Sequence, residues 1–159
     1  MKSLKHKHLE AIETKDFWKN KLSDLFEKIK NDKSGACWQI NEVQSYAQRQ
    51  AEKLDSMSFR QKSEMPLFGL SVGMKDLFCI NGITTSAGSR MLETFKSPYD
   101  SQIWETLNSK GVLLGAKLAM DEFAMGSFSN TSYLGKTSIP DYPEHSAGGS
   151  SGGSSGGSG

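Results

Sequence analysis

Two short apolar segments separated by an amphipathic stretch constrain the fold of this chain most strongly. Residues 68–74 follow Pro66 and are too short and too rich in glycine for a helix, which favours a buried strand. Residues 101–110 have helical spacing, and residues 112–116 form a second apolar strand. A strand, a helix of this length and another strand predict a βαβ unit whose two strands are parallel.

The crossover helix and the loop before it are also readable from the sequence. Ile103, Trp104 and Leu107 are spaced to face the core. Gly111 follows the helix and is expected to cap its carboxyl end. Residues 84–90 are small and polar, which is typical of a loop that lines a site.

The N-terminal part of the chain, residues 1–65, has helical character. Residues 15–30 predict an amphipathic helix with one buried stripe, and residues 42–56 predict a second helix with Asn41 as its N-cap. The polar segment 57–65 is predicted to be a loop. The expected fold is therefore α/β, with N-terminal helices followed by the start of a mixed sheet flanked by helices.

The C-terminal part is less regular. Residues 121–127 are compatible with one helical turn, and residues 128–147 are predicted to be irregular. From position 148 onward the chain contains only glycine and serine. We therefore divide the chain into an N-terminal helical segment (1–65), a second domain (66–154) and a flexible Gly/Ser tail (155–159).

Composition excludes several classes of protein. The 19 basic and 18 acidic residues nearly balance, which gives no general electrostatic case for binding nucleic acid or a membrane. Cys37 and Cys79 lack metal-ligand or redox spacing and indicate a reducing compartment. His6 and His8 have no companion ligands, so we expect no metal site. No apolar run is long enough to span a bilayer and no secretory signal is visible, so a cytoplasmic protein is expected.

A lysine and a distant Gly/Ser segment together suggest a catalytic site. Lys75 closes the first apolar strand, and residues 148–153 supply serines within a glycine-rich backbone. Taken singly, the lysine reads as a solvated edge residue and the Gly/Ser run as a linker. Together they fit a Ser–Lys arrangement, in which a desolvated, neutral lysine accepts a proton from a serine.

Three blocks in order strengthen this interpretation. They are Gly73-Met74-Lys75-Asp76, Met120-Asp121-Glu122-Phe123-Ala124-Met125-Gly126-Ser127 and Gly148-Gly149-Ser150-Ser151-Gly152-Gly153-Ser154. In type, order and spacing they resemble the amidase signature family, over residues 66–154. The resemblance implies the partial fold of that family for this part of the chain.

The resemblance also implies roles for matching positions. Lys75 corresponds to the general base and Ser150 to the bridging serine, which in the family follows a cis peptide bond. Ser151 is its neighbour in the motif and receives no definite role. A possible site loop consists of Ser151 together with Met125, Gly126 and Ser127.

The nucleophilic serine of the family belongs to an Asp-x-Gly-Gly-Ser block that this sequence does not contain. We therefore expect the chain to lack the attacking atom and to be inactive alone. The block at 120–127, with residues 130–135 after it, resembles most the A-type glutaminase subunits of glutamyl-tRNA(Gln) amidotransferases. That resemblance implies glutamine as substrate, B- and C-type partner subunits, and tRNA contacts made mainly by those partners.

No cofactor is expected in a subunit of this kind, whereas ATP and magnesium are expected in the complex through partner subunits. No membrane partner is expected. Two alternatives remain open, namely a fragment of a free-standing amidase and a non-catalytic truncated scaffold.

Overall fold

The computed structural model of the chain describes residues 3–128 and 130–147. Five helices and five strands occur in this part of the chain. The helices are α1 (Leu4–Glu13), α2 (Phe17–Asn31), α3 (Ile40–Asp55), α4 (Phe59–Ser63) and α5 (Gln102–Ser109). The strands are β1 (Cys37–Trp38), β2 (Ser71–Lys75), β3 (Leu113–Leu118), β4 (Ser138–Ile139) and β5 (Tyr142–Ser146). Short 3₁₀ turns span Arg90–Leu92 and Glu122–Ala124.

The main sheet confirms the predicted βαβ unit. Its strand order is β1-β3-β2, and β2 runs parallel to β3 with α5 in the crossover. Met74 lies opposite Lys117 in the register, and Lys75 lies opposite Leu118. The antiparallel strand β1 on the other side of β3 makes the sheet mixed, as expected from the sequence, although β1 itself was not foreseen.

One buried apolar cluster joins the helices to the sheet. It draws on α1, α2, α3, α5, β2 and β3, and its largest fully buried side chain is that of Trp104. Gln50 of α3 reaches the start of β3, where its Nε2 donates to the Val112 carbonyl at 2.7 Å and its Oε1 accepts from the Leu114 N–H at 2.9 Å. Helix α3 is therefore hydrogen-bonded to the amino end of β3.

Two predictions for the N-terminal part need correction. Helix α3 begins at Ile40, because Gln39 adopts a left-handed conformation (φ 49°) and turns the chain, so Asn41 lies inside the helix and is not its N-cap. The predicted loop 57–65 contains helix α4. Ser58 and Gln61 form a capping box there. The capping box stabilises the start of the helix, although the segment has no apolar stripe.

The strand and helix boundaries also shift. Strand β2 begins three residues later than predicted, because turns close from Phe68 N–H to the Met65 carbonyl and from Leu70 N–H to the Leu67 carbonyl. Ile103, predicted to face inward, is 49% exposed, because α5 is covered only along the side that carries Trp104. Gly111 has φ +88°, as expected of a cap residue.

The segment 128–147 is not wholly irregular. Strands β4 and β5 pair antiparallel across a tight turn, and Ser138 N–H donates to the Ser34 carbonyl at 2.9 Å. Both strands are short and largely exposed, so they carry no apolar pattern that could be read from the sequence. The division at residues 65 and 66 remains a prediction, and the proposed tail 155–159 lies outside the described residues.

Candidate active site

Lys75 is the last residue of β2, at the carboxyl edge of the parallel pair, and its side chain is half-buried. Carboxyl ends of parallel strands are where the loops of an α/β sheet converge on a ligand. The Lys75 carbonyl accepts a hydrogen bond from Phe78 N–H at 2.9 Å, so the chain turns sharply after the strand.

Asp76, the next residue, is buried and organises the loop that faces the strand end. Its Oδ2 accepts hydrogen bonds from the Ser86 N–H at 3.0 Å and the Ser86 hydroxyl at 2.6 Å. Its main-chain carbonyl accepts from Ala87 N–H at 3.1 Å, and its own N–H donates to the Leu118 carbonyl at 3.0 Å. The polar loop at residues 84–90 is therefore hydrogen-bonded to Asp76, the residue beside Lys75.

Lys117 of β3 is a buried cation beneath this edge. Its Nζ lies 3.1 Å from Oδ1 of Asp76 and donates hydrogen bonds to the Phe78 carbonyl at 2.8 Å and to Thr85 Oγ1 at 3.3 Å. The contact with Oδ1 is an ion pair between two buried side chains. Burial lowers the pKa of Lys117, because desolvation disfavours the ammonium more than the Asp76 carboxylate favours it.

A second loop, described at residues 121–128 and 130–131, packs on the first. Phe123 N–H donates to the Ala87 carbonyl at 2.8 Å, and the Ser89 hydroxyl donates to Oε1 of Glu122 at 2.6 Å. Asp121 is fully buried, and its Oδ1 accepts from the N–H groups of Asn130 and Thr131 and from the Thr131 hydroxyl, at 2.9–3.1 Å. The loop is thus closed by one carboxylate.

Three residues of this second loop, together with Ser151, form the possible site loop that the family resemblance implies. Met125 is 79% exposed, Ser127 is exposed, and Gly126 is half-buried against the Asp121 side chain. The contacts through Ala87 connect this loop to Asp76 and so to the end of β2. The catalytic roles of these residues and of Lys75 remain predictions.

Ser150 and Ser151 lie outside the described residues, as does the peptide bond between Gly149 and Ser150 that was expected to be cis. Their placement relative to Lys75 therefore remains a prediction. The described chain leads towards them through β5, whose last residue is Ser146.

Thiol chemistry does not offer a substitute nucleophile at Cys37. Burial raises the pKa of the Cys37 thiol to about 11, and the nearby Asp32 carboxylate acts in the same direction. A thiol with that pKa carries almost no thiolate at neutral pH. Within residues 3–128 and 130–147, no three or more His, Cys, Asp or Glu side chains are grouped so as to hold a metal ion.

The sequence interpretation missed Lys117 and the buried roles of Asp76 and Asp121. A signal for the lysine is present in the sequence, because Lys117 is the one charged residue in the otherwise apolar run 112–120. A charged residue inside such a run needs a charged or hydrogen-bonding partner. The sequence does not show which partner, since Asp76 is 41 positions away.

These features are those of the first part of an amidase-type α/β domain, in which a lysine ends a parallel strand beside small polar loops. The strand was predicted to be buried, but of its five residues only Met74 is buried. A family model described as Amidase matches residues 23–156. The chain belongs to the amidase family.

The curated proteins to which the chain is similar include two that are each named as the A-type subunit of a glutamyl-tRNA(Gln) amidotransferase. The one from Psychrobacter cryohalolentis is 37% identical over 148 residues, which are 93% of this chain and 28% of the relative. The one from Synechococcus sp. is 43% identical over 112 residues, which are 70% of this chain and 23% of the relative. The chain thus spans about a quarter of the length of the curated relatives it matches.

The structure is also similar to a solved structure described as an amidase. The two are 26% identical with a TM-score of 0.71, and the match covers 96% of this chain and 35% of the other. The similarity extends through the N-terminal helices as well as the sheet.

Proposed function

We propose that this chain is the N-terminal part of the glutaminase subunit of a glutamyl-tRNA(Gln) amidotransferase. Such a subunit hydrolyses glutamine and supplies ammonia for converting Glu-tRNA(Gln) to Gln-tRNA(Gln). The observation that carries the proposal is 37% identity over 93% of the chain to a relative with that name. The half-buried Lys75 at a strand end, beside two hydrogen-bonded loops, supports the amidase chemistry.

In the proposed mechanism, Lys75 acts as general base and Ser150 passes the proton. The neutral amine of Lys75 accepts the Ser150 hydroxyl proton while Ser150 takes the proton of the nucleophilic serine. That serine attacks the side-chain amide carbon of glutamine, and the proton held by Lys75 passes to the amide nitrogen, which leaves as ammonia. Water then hydrolyses the acyl-enzyme to glutamate and restores the serine hydroxyl. Met125, Gly126, Ser127 and Ser151 would line the site of this reaction.

The nucleophile itself is expected in an Asp-x-Gly-Gly-Ser block, which is absent from this sequence. The 159-residue chain is therefore proposed to be inactive alone. It supplies the base and the relay, and the attacking serine and the oxyanion donors would come from the remainder of the amidase domain.

Partners complete the proposed reaction. B- and C-type amidotransferase subunits would receive the ammonia, bind the tRNA, and use ATP and magnesium to activate the glutamate that the tRNA carries. The near balance of charge in the 159-residue sequence leaves the tRNA contacts mainly to those subunits. No described helix is both long and apolar enough to cross a membrane. We place the reaction in the cytoplasm, which the two free cysteines support.

A second candidate is a fragment of a free-standing amidase. It is favoured by the solved amidase, which matches 96% of this chain at a TM-score of 0.71. The residues that select the amide substrate would lie in the remainder of the domain, so the two candidates share the chemistry of Lys75.

Substitution of Lys75 by alanine in the full-length protein tests the proposal. Loss of a general base lowers glutamine hydrolysis by about 10²–10⁴-fold while circular dichroism and the melting curve are retained. Lys110→Ala, at the exposed end of α5, is the matched control and keeps the parental rate. A near-parental rate in Lys75→Ala would contradict the assigned role.

The substrate is tested separately with the partner subunits present. Ammonia released from glutamine is expected to reach Glu-tRNA(Gln), measured as Gln-tRNA(Gln) formed per glutamine consumed. Hydrolysis of simple amides without any transfer to tRNA would favour the free-standing amidase instead.

A further inference from the structure

Lys117 and Asp76 form an ion pair directly behind the end of β2. Their charged atoms are 3.1 Å apart, and the side chains are 0% and 3% exposed. Lys117 pairs in register with Met74, so it shares a sheet face with Met74 and Asp76, whereas Lys75 points to the other face. The structure connects the pair to Lys75 through the backbone.

A short backbone path exists. Phe78 N–H donates to the Lys75 carbonyl at 2.9 Å, and the Phe78 carbonyl in turn accepts from Lys117 Nζ at 2.8 Å. The Lys117 ammonium thus contacts both Asp76, which follows Lys75, and Phe78, which closes the turn. The two contacts fix the direction in which the chain leaves the strand.

The same pair holds the facing loop. Lys117 Nζ also bonds Thr85 Oγ1 at 3.3 Å, while Oδ2 of Asp76 accepts two hydrogen bonds from Ser86. Burying two charges costs desolvation that an apolar pair of similar size avoids. The charged pair instead joins β2, β3 and the loop at residues 84–90 at one point.

We propose that Lys117 and Asp76 are positioning residues that set the backbone of Lys75 and the loop opposite it. The catalytic consequence rests on the proposed function of Lys75 as a base, whereas the structural claim does not. An apolar side chain in place of Lys117 keeps the volume of the site and removes the contacts that join β2, β3 and the loop at residues 84–90. Misplacement of a reacting group by about 1 Å lowers a rate by about 10²-fold.

Hydrogen exchange in the 159-residue chain tests the structural claim. In Lys117→Met, exchange of the Phe78 and Ala87 N–H groups accelerates about tenfold or more, while that of Leu114 changes less than about threefold. The control is Gln50→Met, a buried polar residue at the other end of β3, which gives the reverse pattern because Gln50 accepts from Leu114 N–H. If Lys117→Met does not fold, the isosteric Asp76→Asn replaces it with the same expectation.

Kinetics of the full-length protein test the consequence. Lys117→Met lowers kcat for glutamine hydrolysis about 10²-fold with KM within about threefold, and Gln50→Met keeps kcat within about threefold. Uniform acceleration of all amides, unchanged exchange at Phe78 and Ala87, or an unchanged kcat would each overturn the inference. If the parent hydrolyses no glutamine, the proposed function fails, and the exchange pattern still decides the positioning role.

Discussion

Gly126 lies so close to the buried carboxylate of Asp121 that a β-carbon at this glycine would stand 2.5 Å from Oδ2. Atoms cannot approach that closely, so the loop has its observed form only with glycine at this position. The same carboxylate holds Asn130 and Thr131 through its other oxygen. A small change at Gly126 should therefore reach the whole loop.

Gly126→Ala is expected to lower the free energy of unfolding by about 1–3 kcal/mol, because the added methyl group overpacks a closed site. Denaturant unfolding of the chain measures this change. Gly115→Ala is the matched control, since its new β-carbon would meet neighbours no closer than 3.5 Å. Equal stabilities for the two variants would contradict the close packing of the loop.

Asp55 caps helix α2 from a distance. Its two carboxylate oxygens accept the N–H groups of Trp18 and Lys19 at 3.1 and 2.9 Å, whereas the N-cap residue Asp16 makes no side-chain cap. Asp55→Ala should therefore cost about 1–2 kcal/mol in thermal or denaturant unfolding.

Asp24→Ala provides the comparison for this prediction. It removes an exposed pair with Lys28 and should cost less than about 1 kcal/mol. If Asp24→Ala were the more costly of the two, the assigned capping role of Asp55 would be wrong.

Titration of Glu42 makes the free energy of unfolding depend on pH in the acid range. Burial opposes its charge, yet hydrogen bonds from Lys96 and from the Thr84 N–H outweigh burial and lower the pKa of Glu42 below 4.5. A carboxyl with a lower pKa in the folded state contributes stability above its unfolded pKa and loses it as pH falls through the folded value. The contribution should therefore be complete at neutral pH and fade below pH 4.5.

Melting curves of Glu42→Gln and the parent between about pH 3 and pH 7 test this dependence. The two melting temperatures should differ most near neutral pH and converge towards the acid end. Glu64→Gln, which removes an exposed pair with Arg60, should show little difference at any pH. A constant difference between Glu42→Gln and the parent would rule out titration of Glu42 as its source.

The chain alone should not bind tRNA tightly. Its formal net charge of +1 supplies little release of counterions, which is the main sequence-independent term in nucleic-acid affinity. A gel shift with the purified chain at physiological salt measures this. A stable complex under those conditions would show that this segment itself binds tRNA, which contradicts the prediction.

Local patterns in the sequence determined the type of most elements. The stripe of α2 and the strand–helix–strand order around α5 depend on residues a few positions apart, so periodicity reports them. The family motifs also mark Lys75, whose place at the end of β2 follows from the apolar residues before it. The capping box of Ser58 and Gln61 was equally local, and it was overlooked because the segment is polar.

The tertiary structure decided which distant groups meet. Asp76 pairs with Lys117 across 41 positions, and Asp55 caps a helix 37 positions away, contacts that depend on strand register and helix packing. The start of β2 and the pairing of β4 with β5 likewise depend on turns and neighbours. The physical reason is that the spacing of apolar residues in a sequence indicates which residues are buried. It does not indicate which charged or polar groups pair, because a pair forms only when the folded chain brings its two groups within a few ångströms.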